Sequence, residues 1–238
     1  MNSFLLDNNS FINYSPEHFI CLIAIVLTGV YLLTIAKKHY SLNVHHKLMI
    51  AFAAIICFSQ IFKSCIRVYI GNFNILTDLP LELCNILTFL MLFTLLTKSR
   101  WLWGVIFFWI MSGTFQALFT PTLLQSFPNY EFWRYWLVHG GLVICALYPL
   151  MIMRWSLNWK DVLRSMIGLN LLAFVMYHFN NFLGSNYMYL NKKPGGDTLY
   201  SILGEWPTYI FQLEVVMVIL FSFWYFVSTL ISKRQKAI

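Results

Sequence analysis

Within nine residues, Thr77-Asp78-Leu79-Pro80-Leu81-Glu82-Leu83-Cys84-Asn85, the chain sets two carboxylates, a thiol and an amide at the head of an apolar run, Ile86 to Leu96. Cys84 is the natural strong nucleophile of that group, and nearby positive charge would favour its thiolate. Lys63 and Arg67 are four residues apart and so share one helical face. They would supply that charge, or hold a phosphate. His139 and His178 are candidate bases, the usual partners of a cysteine nucleophile. Asp78 or Glu82 would orient the base or hold a cation. Asn85 and Gln116 are donors suited to a developing oxyanion. The chemistry these types support is nucleophilic catalysis by an activated thiol.

The elements that must position these groups are membrane helices. Of 238 residues, 59% are hydrophobic and 11% charged, against roughly 25% charged in a soluble domain. Mean hydropathy is +0.67. The expected class is all-α, a single polytopic domain over residues 1–238, with no soluble module. The net charge of +7 does not indicate nucleic acid, because the basic residues are spread between apolar runs, as membrane topology requires. Five cysteines (Cys21, Cys57, Cys65, Cys84, Cys145) show no CxxC pair and no metal-type spacing with histidine. No cofactor is expected.

Seven runs are long enough, or nearly so, to span the hydrocarbon core. They extend from His18 to Ala36, Leu48 to Ile70, Leu79 to Thr97, Trp101 to Phe119, Trp133 to Met153, Val162 to Leu183 and Pro207 to Ile231. The odd-numbered connections and the C-terminal tail hold 11 of the 16 basic residues, among them Lys37, Lys38, Arg100, Arg164 and Lys233. The other side holds Arg134, Lys192 and Lys193. The positive-inside rule then puts the N-terminus outside and the C-terminus in the cytoplasm. The first run has Asp7 and Glu17 before it and Lys37 and Lys38 after it, the reverse of a cleavable signal. It is expected to remain as the first helix. His45 and His46 fall in the first cytoplasmic connection. The longest connection, about Gly184 to Trp206, includes Lys192 to Gly196. With the fourth, Thr120 to Arg134, it would cap the outer face.

Depth along each helix follows from a rise of about 1.5 Å per residue. Lys63, Arg67, Glu82, Cys84, Asn85, Gln116, His139, His178, Asn181, Gln212 and Glu214 then fall near one outer depth, on six helices. Ionisable residues in a membrane face a bundle interior, pair, or line a cavity. The expectation is a polar chamber open to the outer leaflet, with Glu82 and Glu214 balancing Lys63 and Arg67.

Blander readings compete. Buried polar groups also glue helices together, and a membrane cysteine is commonly just a small hydrophobe. A Cys65–Cys84 disulfide would fit an oxidising exterior. A zinc site from His139, His178 and Glu82 is a weaker reading. Pro80 and Gly140-Gly141 suit helices that bend around a transported solute, although the polar groups gather at one face and not at mid-depth. A binding or transport protein for a small polar or anionic solute is the main alternative to an enzyme.

Several tracts resemble the YwaF-type bacterial integral membrane proteins, distant relatives of vertebrate transmembrane protein 164. They are Leu79 to Cys84, Gly113 to Pro121, His139-Gly140-Gly141, Asn181 to Leu190, Lys193-Pro194 and Gly204 to Pro207. The resemblance implies a bundle of about seven helices in the cell membrane. It also implies a cysteine that moves fatty acyl chains between phospholipids. Carried over, that role falls on Cys84, with His139 or His178 as base. The remaining candidates for substrate contact are Lys63, Arg67, Glu82, Asn85, Gln116, Asn181, Asn186, Tyr187 and Glu214, with membrane lipids as partners. The chain departs from the pattern at Glu82, where histidine is frequent, and at Glu205 and Thr208. The oligomeric state is left open.

Overall fold

The computed structural model describes residues 4–5, 10–195 and 199–236; Asp7 and Gly196 lie outside them. Among the described residues seven helices follow in order: α1 Pro16–His39, α2 Leu42–Tyr69, α3 Leu83–Thr97, α4 Arg100–Leu118, α5 Tyr130–Met151, α6 Trp159–Leu183 and α7 Thr208–Lys236. The described β structure is one isolated bridge, Ser10 with Gln125. Two helices depart from α geometry. α1 passes through a π turn at Tyr31–Ile35, and α4 through one at Ile110–Thr114 before a closing 3-10 turn, Gln116–Leu118.

Local chemistry fixes most ends. Ser15, Ser41, Ser99 and Asn129 accept backbone N–H groups at the starts of α1, α2, α4 and α5, satisfying donors that the first helical turn leaves unpaired. α6 opens on a capping box between Asn158 and Asp161 and closes on Gly184 at φ 77°, a left-handed position that glycine takes without strain. α3 starts later than its apolar run. Pro80 lacks an N–H and holds Leu79 away from helical geometry, and Glu82 is still extended (φ −64°, ψ 147°). Helix therefore begins at Leu83 and runs for only 15 residues.

Five of the helices, α1, α2, α4, α6 and α7, are long and apolar enough to cross a membrane; α3 is a shorter apolar helix. α5, with Glu131 and Arg134 in its first turns, is the inner member; most of its residues from Phe132 to Leu150 are buried, although Trp133 is exposed. Gly140 and Gly141 let its neighbours close in. A Cβ at Gly140 would come within 2.6 Å of Ile25, and one at Gly141 would collide with Ile56. The pair is a packing device between α5, α1 and α2, where a bending role was anticipated. The outer helices expose apolar stripes, such as Ile20, Ile23 and Leu27 on α1 and Val215, Ile219 and Phe223 on α7. A surface that apolar requires a partner, here lipid. The molecule is a multi-pass helical membrane protein.

His45 and His46 do not lie in a connection. α1 ends at His39 and α2 begins at Leu42, so both fall in the first turns of α2 and are buried. His45 Nε2 meets the Leu32 carbonyl at 2.7 Å, in the π turn of α1, and His46 Nε2 meets that of Leu95 at 3.0 Å. The rings tie helices together.

Candidate functional site

Helix direction alternates, so the starts of α1, α3, α5 and α7 and the ends of α2, α4 and α6 share one end of the bundle. Long-range contacts there confirm it. Phe11 N donates to Leu124 O, His18 Nε2 meets Leu118 O at 2.8 Å, and the Tyr187 hydroxyl donates to Ile75 O at 2.6 Å. At this end opens a cavity of about 860 Å³, within the size range of small-ligand sites.

Eight of the expected residues line it: Cys84, Asn85 and Glu82 around the start of α3, Lys63 and Arg67 on α2, Gln116 on α4, His139 on α5 and Glu214 on α7. Four do not. His178 is exposed on α6, edge-on to Phe174 with ring centroids 4.6 Å apart. Asn181 accepts from the Asn191 side chain. Asn186 accepts from the backbone of Asn191 and Lys192. Tyr187 is buried, taking the Leu79 N–H at 3.1 Å on the hydroxyl that donates to Ile75. These last three hold the sixth connection in shape.

The charge pairing also differs from expectation. Lys63 lies 3.8 Å from both Asp78 and Glu131, and Arg67 lies 3.9 Å from the same two carboxylates. Glu214 instead takes a hydrogen bond from Asn170 at 3.1 Å, and Glu82 takes one from Met188 N–H at 2.9 Å. Glu131 is held more tightly by Arg134, at 2.8 Å, and Arg134 also donates to Gln60. Separations near 3.9 Å exceed hydrogen-bond reach. The ammonium of Lys63 and the guanidinium of Arg67 are therefore neutralised by their neighbours yet keep donors for a ligand.

Glu131, Arg134 and Tyr135 line the cavity and were not anticipated. Their signal was present in the sequence: with His139 they recur at three and four residues, one stripe of α5. His139 Nδ1 donates to the Tyr135 carbonyl at 2.8 Å, and the two rings stack at 4.0 Å. The bond fixes the tautomer, because a carbonyl only accepts; the Nε2 of a neutral ring then carries the lone pair. Cys84 is half-buried in the first turn of α3, its thiol donating to Asn85 Oδ1 at 3.6 Å. Glu82 makes no side-chain cap at the start of α3, where Asn85 N–H donates to the Glu82 carbonyl at 2.9 Å. Ser112, in the π turn of α4, also lines the cavity, and its buried hydroxyl has no partner.

The fourth and sixth connections also line the cavity, contributing Thr122 and Leu124, and Tyr189, Tyr200 and Trp206. Met188 and Tyr189 both have positive φ, 59° and 53°, a conformation that costs a non-glycine residue about 1–3 kcal/mol. Three clasps hold it: Asn180 bonds both backbone groups of Tyr187, Glu82 takes Met188 N–H, and Tyr209 donates to Tyr189 O. Burial, with Glu82 and Cys84 nearby, pushes the Tyr189 hydroxyl up to about 12, so it stays a donor. All five cysteines are free thiols, Cys65 exposed and Cys84 in the cavity wall. No three of the described His, Cys, Asp and Glu residues are grouped to hold a metal ion.

These features define a class: a polytopic helical membrane protein with a polar, thiol-bearing cavity at one end. The chain belongs to the TMEM164 family, whose sequence model matches residues 13–225. No curated protein and no solved structure matches it.

Proposed function

We propose that this chain is a YwaF-type bacterial member of its family and a cysteine-dependent phospholipid acyltransferase. It works at the outer leaflet of the cell membrane, with the N-terminus outside and the C-terminus in the cytoplasm. The observation that carries this reading is the cavity itself, where a thiol, an imidazole with an available nitrogen and a set of cations share one wall system. The lipid phosphate sits at Lys63 and Arg67. His139 Nε2 takes the Cys84 thiol proton as sulfur attacks the acyl carbonyl carbon. The oxyanion is met by the side chains of Asn85 or Gln116. Collapse breaks the ester C–O bond, the leaving alkoxide takes the proton from His139, and a thioester remains on Cys84. The hydroxyl of an acceptor lysolipid then attacks that thioester, with His139 again carrying the proton.

The test is acyl-enzyme trapping. Purified protein incubated with a phospholipid bearing a clickable acyl chain should acquire a hydroxylamine-sensitive label. Cys84→Ala should abolish it, His139→Ala should slow it on the order of a thousandfold, and His178→Ala should leave it unchanged. Label that persists in Cys84→Ala would rule the mechanism out. A second reading has its own observation: the Cys84 thiol is bonded to Asn85 and not to an imidazole. On that reading the cavity binds a small anionic solute without covalent chemistry. Solute binding that survives Cys84→Ala and fails in Lys63→Ala would favour it.

A further inference from the structure

Below its polar end the cavity continues as an apolar arm between α6 and α7. α7 faces it with Leu213, Met217, Leu220 and Phe221, and α6 with Leu169 and Ala173; within each helix the spacing of three or four residues makes one stripe. The polar pair on this seam, Asn170 and Glu214, satisfies itself across the two helices at 3.1 Å. The arm ends on rings. Phe221 is 1% exposed and packs on Phe108 at 5.4 Å. Beside it Trp109 donates from Nε1 to Ser165 O at 2.9 Å, and a Cβ on Gly168 behind it would lie 3.1 Å from the indole. Both floor rings are therefore held by packing or a hydrogen bond. The wall of α7 from Ile210 to Phe221 is about 17 Å long at 1.5 Å per residue. The lining of this arm is thus largely apolar, with the charged groups at one end and Phe221 and Trp109 at the other.

We propose that this arm takes one long alkyl chain of a lipid and that Phe221, backed by Trp109, sets the longest chain it accepts. The proposal rests on the acyl-transfer reading for which lipid is bound, while the arm itself is tested by binding alone. A chain that fits loses its hydration methylene by methylene, so each added carbon within the arm should tighten binding up to about fourfold. Once the terminal methyl reaches the Phe221 ring, further carbons must bend the chain or shift α7, and affinity should stop rising.

The experiment is equilibrium binding of an ether lysophospholipid series of graded saturated chain length, which cannot be deacylated, to the full-length protein in detergent. A matching fatty-alcohol series separates the arm from the headgroup. Wild type should show a sharp length limit in both series, with the alcohols weaker. Phe221→Ala should move the limit to longer chains by a few carbons, and Ala173→Leu, which narrows the arm from α6, should move it to shorter ones. The second variant guards against loss of fold in the first, and a thermal melt on each identifies a folded sample. A limit that neither folded variant moves, affinity that climbs without a limit, or no binding of any alkyl chain would overturn the proposal. Absence of the Cys84 thioester together with an intact, movable limit would remove the chemistry and leave the arm.

Discussion

Asp161, at the start of α6, is fully buried and takes both nitrogens of Arg100, one at 2.6 Å, with Arg164 at 3.4 Å and the Asn158 N–H at 2.9 Å. Arg100 also donates to the Ser156 carbonyl. Gly104 makes room, since a Cβ there would stand 2.7 Å from the guanidinium. At the opposite end of the bundle, Lys63 and Arg67 stand 3.8–3.9 Å from Asp78 and Glu131 and face a cavity. Both clusters join distant segments by charge. The first saturates its acid with bidentate and backbone donors, which is how a buried carboxylate is made stable. The second balances charge at a distance and leaves donors unspent. Tight pairing marks a structural rivet, and loose pairing around a void marks a place for something else to bind.

The sharpest way to break this contrast is Asp161→Ala. It strands Arg100 and removes the capping box of α6, so stability should fall by about 3–5 kcal/mol, read as a large drop in melting temperature. Lipid binding by the fraction that remains folded should be unchanged. Lys63→Met should do the reverse. The melt should move little, because Arg67 and Arg134 still neutralise Glu131. Affinity for a lysophospholipid should fall about tenfold, the worth of one charge-assisted contact. Equal losses of stability in both variants would erase the distinction. The smallest effect belongs to His178→Ala, an exposed ring outside the cavity, where stability should change by less than about 0.5 kcal/mol.

His178 also shows where sequence reading stops. Depth follows from counting residues along a helix, and on that basis His139 and His178 were equivalent. What separates them is azimuth, the direction each side chain takes around its helix. α5 announces its azimuth through the stripe Glu131, Arg134, Tyr135 and His139. α6 carries apolar residues around its whole circumference, so nothing in its pattern distinguishes His178 or Asn181, which turn outward, from Asn180, which is buried and clasps Tyr187. The helical membrane class was legible from composition, and the gathering of polar groups at one end from their depth. The ion partners were not, because Asp78 sits in a connection and Glu131 at a helix start, positions that read as solvated or snorkelling until the chain is folded. The late start of α3 was foreshadowed by Pro80, whereas the π turns of α1 and α4 left no mark in residue type.

The stripe on α5 has a consequence for how the protein is made. Chains emerge from the ribosome N-terminus first, so α5 enters the bilayer before α6 and α7, which supply the far wall of the cavity. Until those two arrive, Glu131, Arg134 and His139 have only the earlier part of the wall beside them, Lys63 and Arg67 of α2, the start of α3 and the end of α4. The charges that later face a ligand can thus balance one another as soon as α2 and α5 meet, before α6 and α7 complete the cavity.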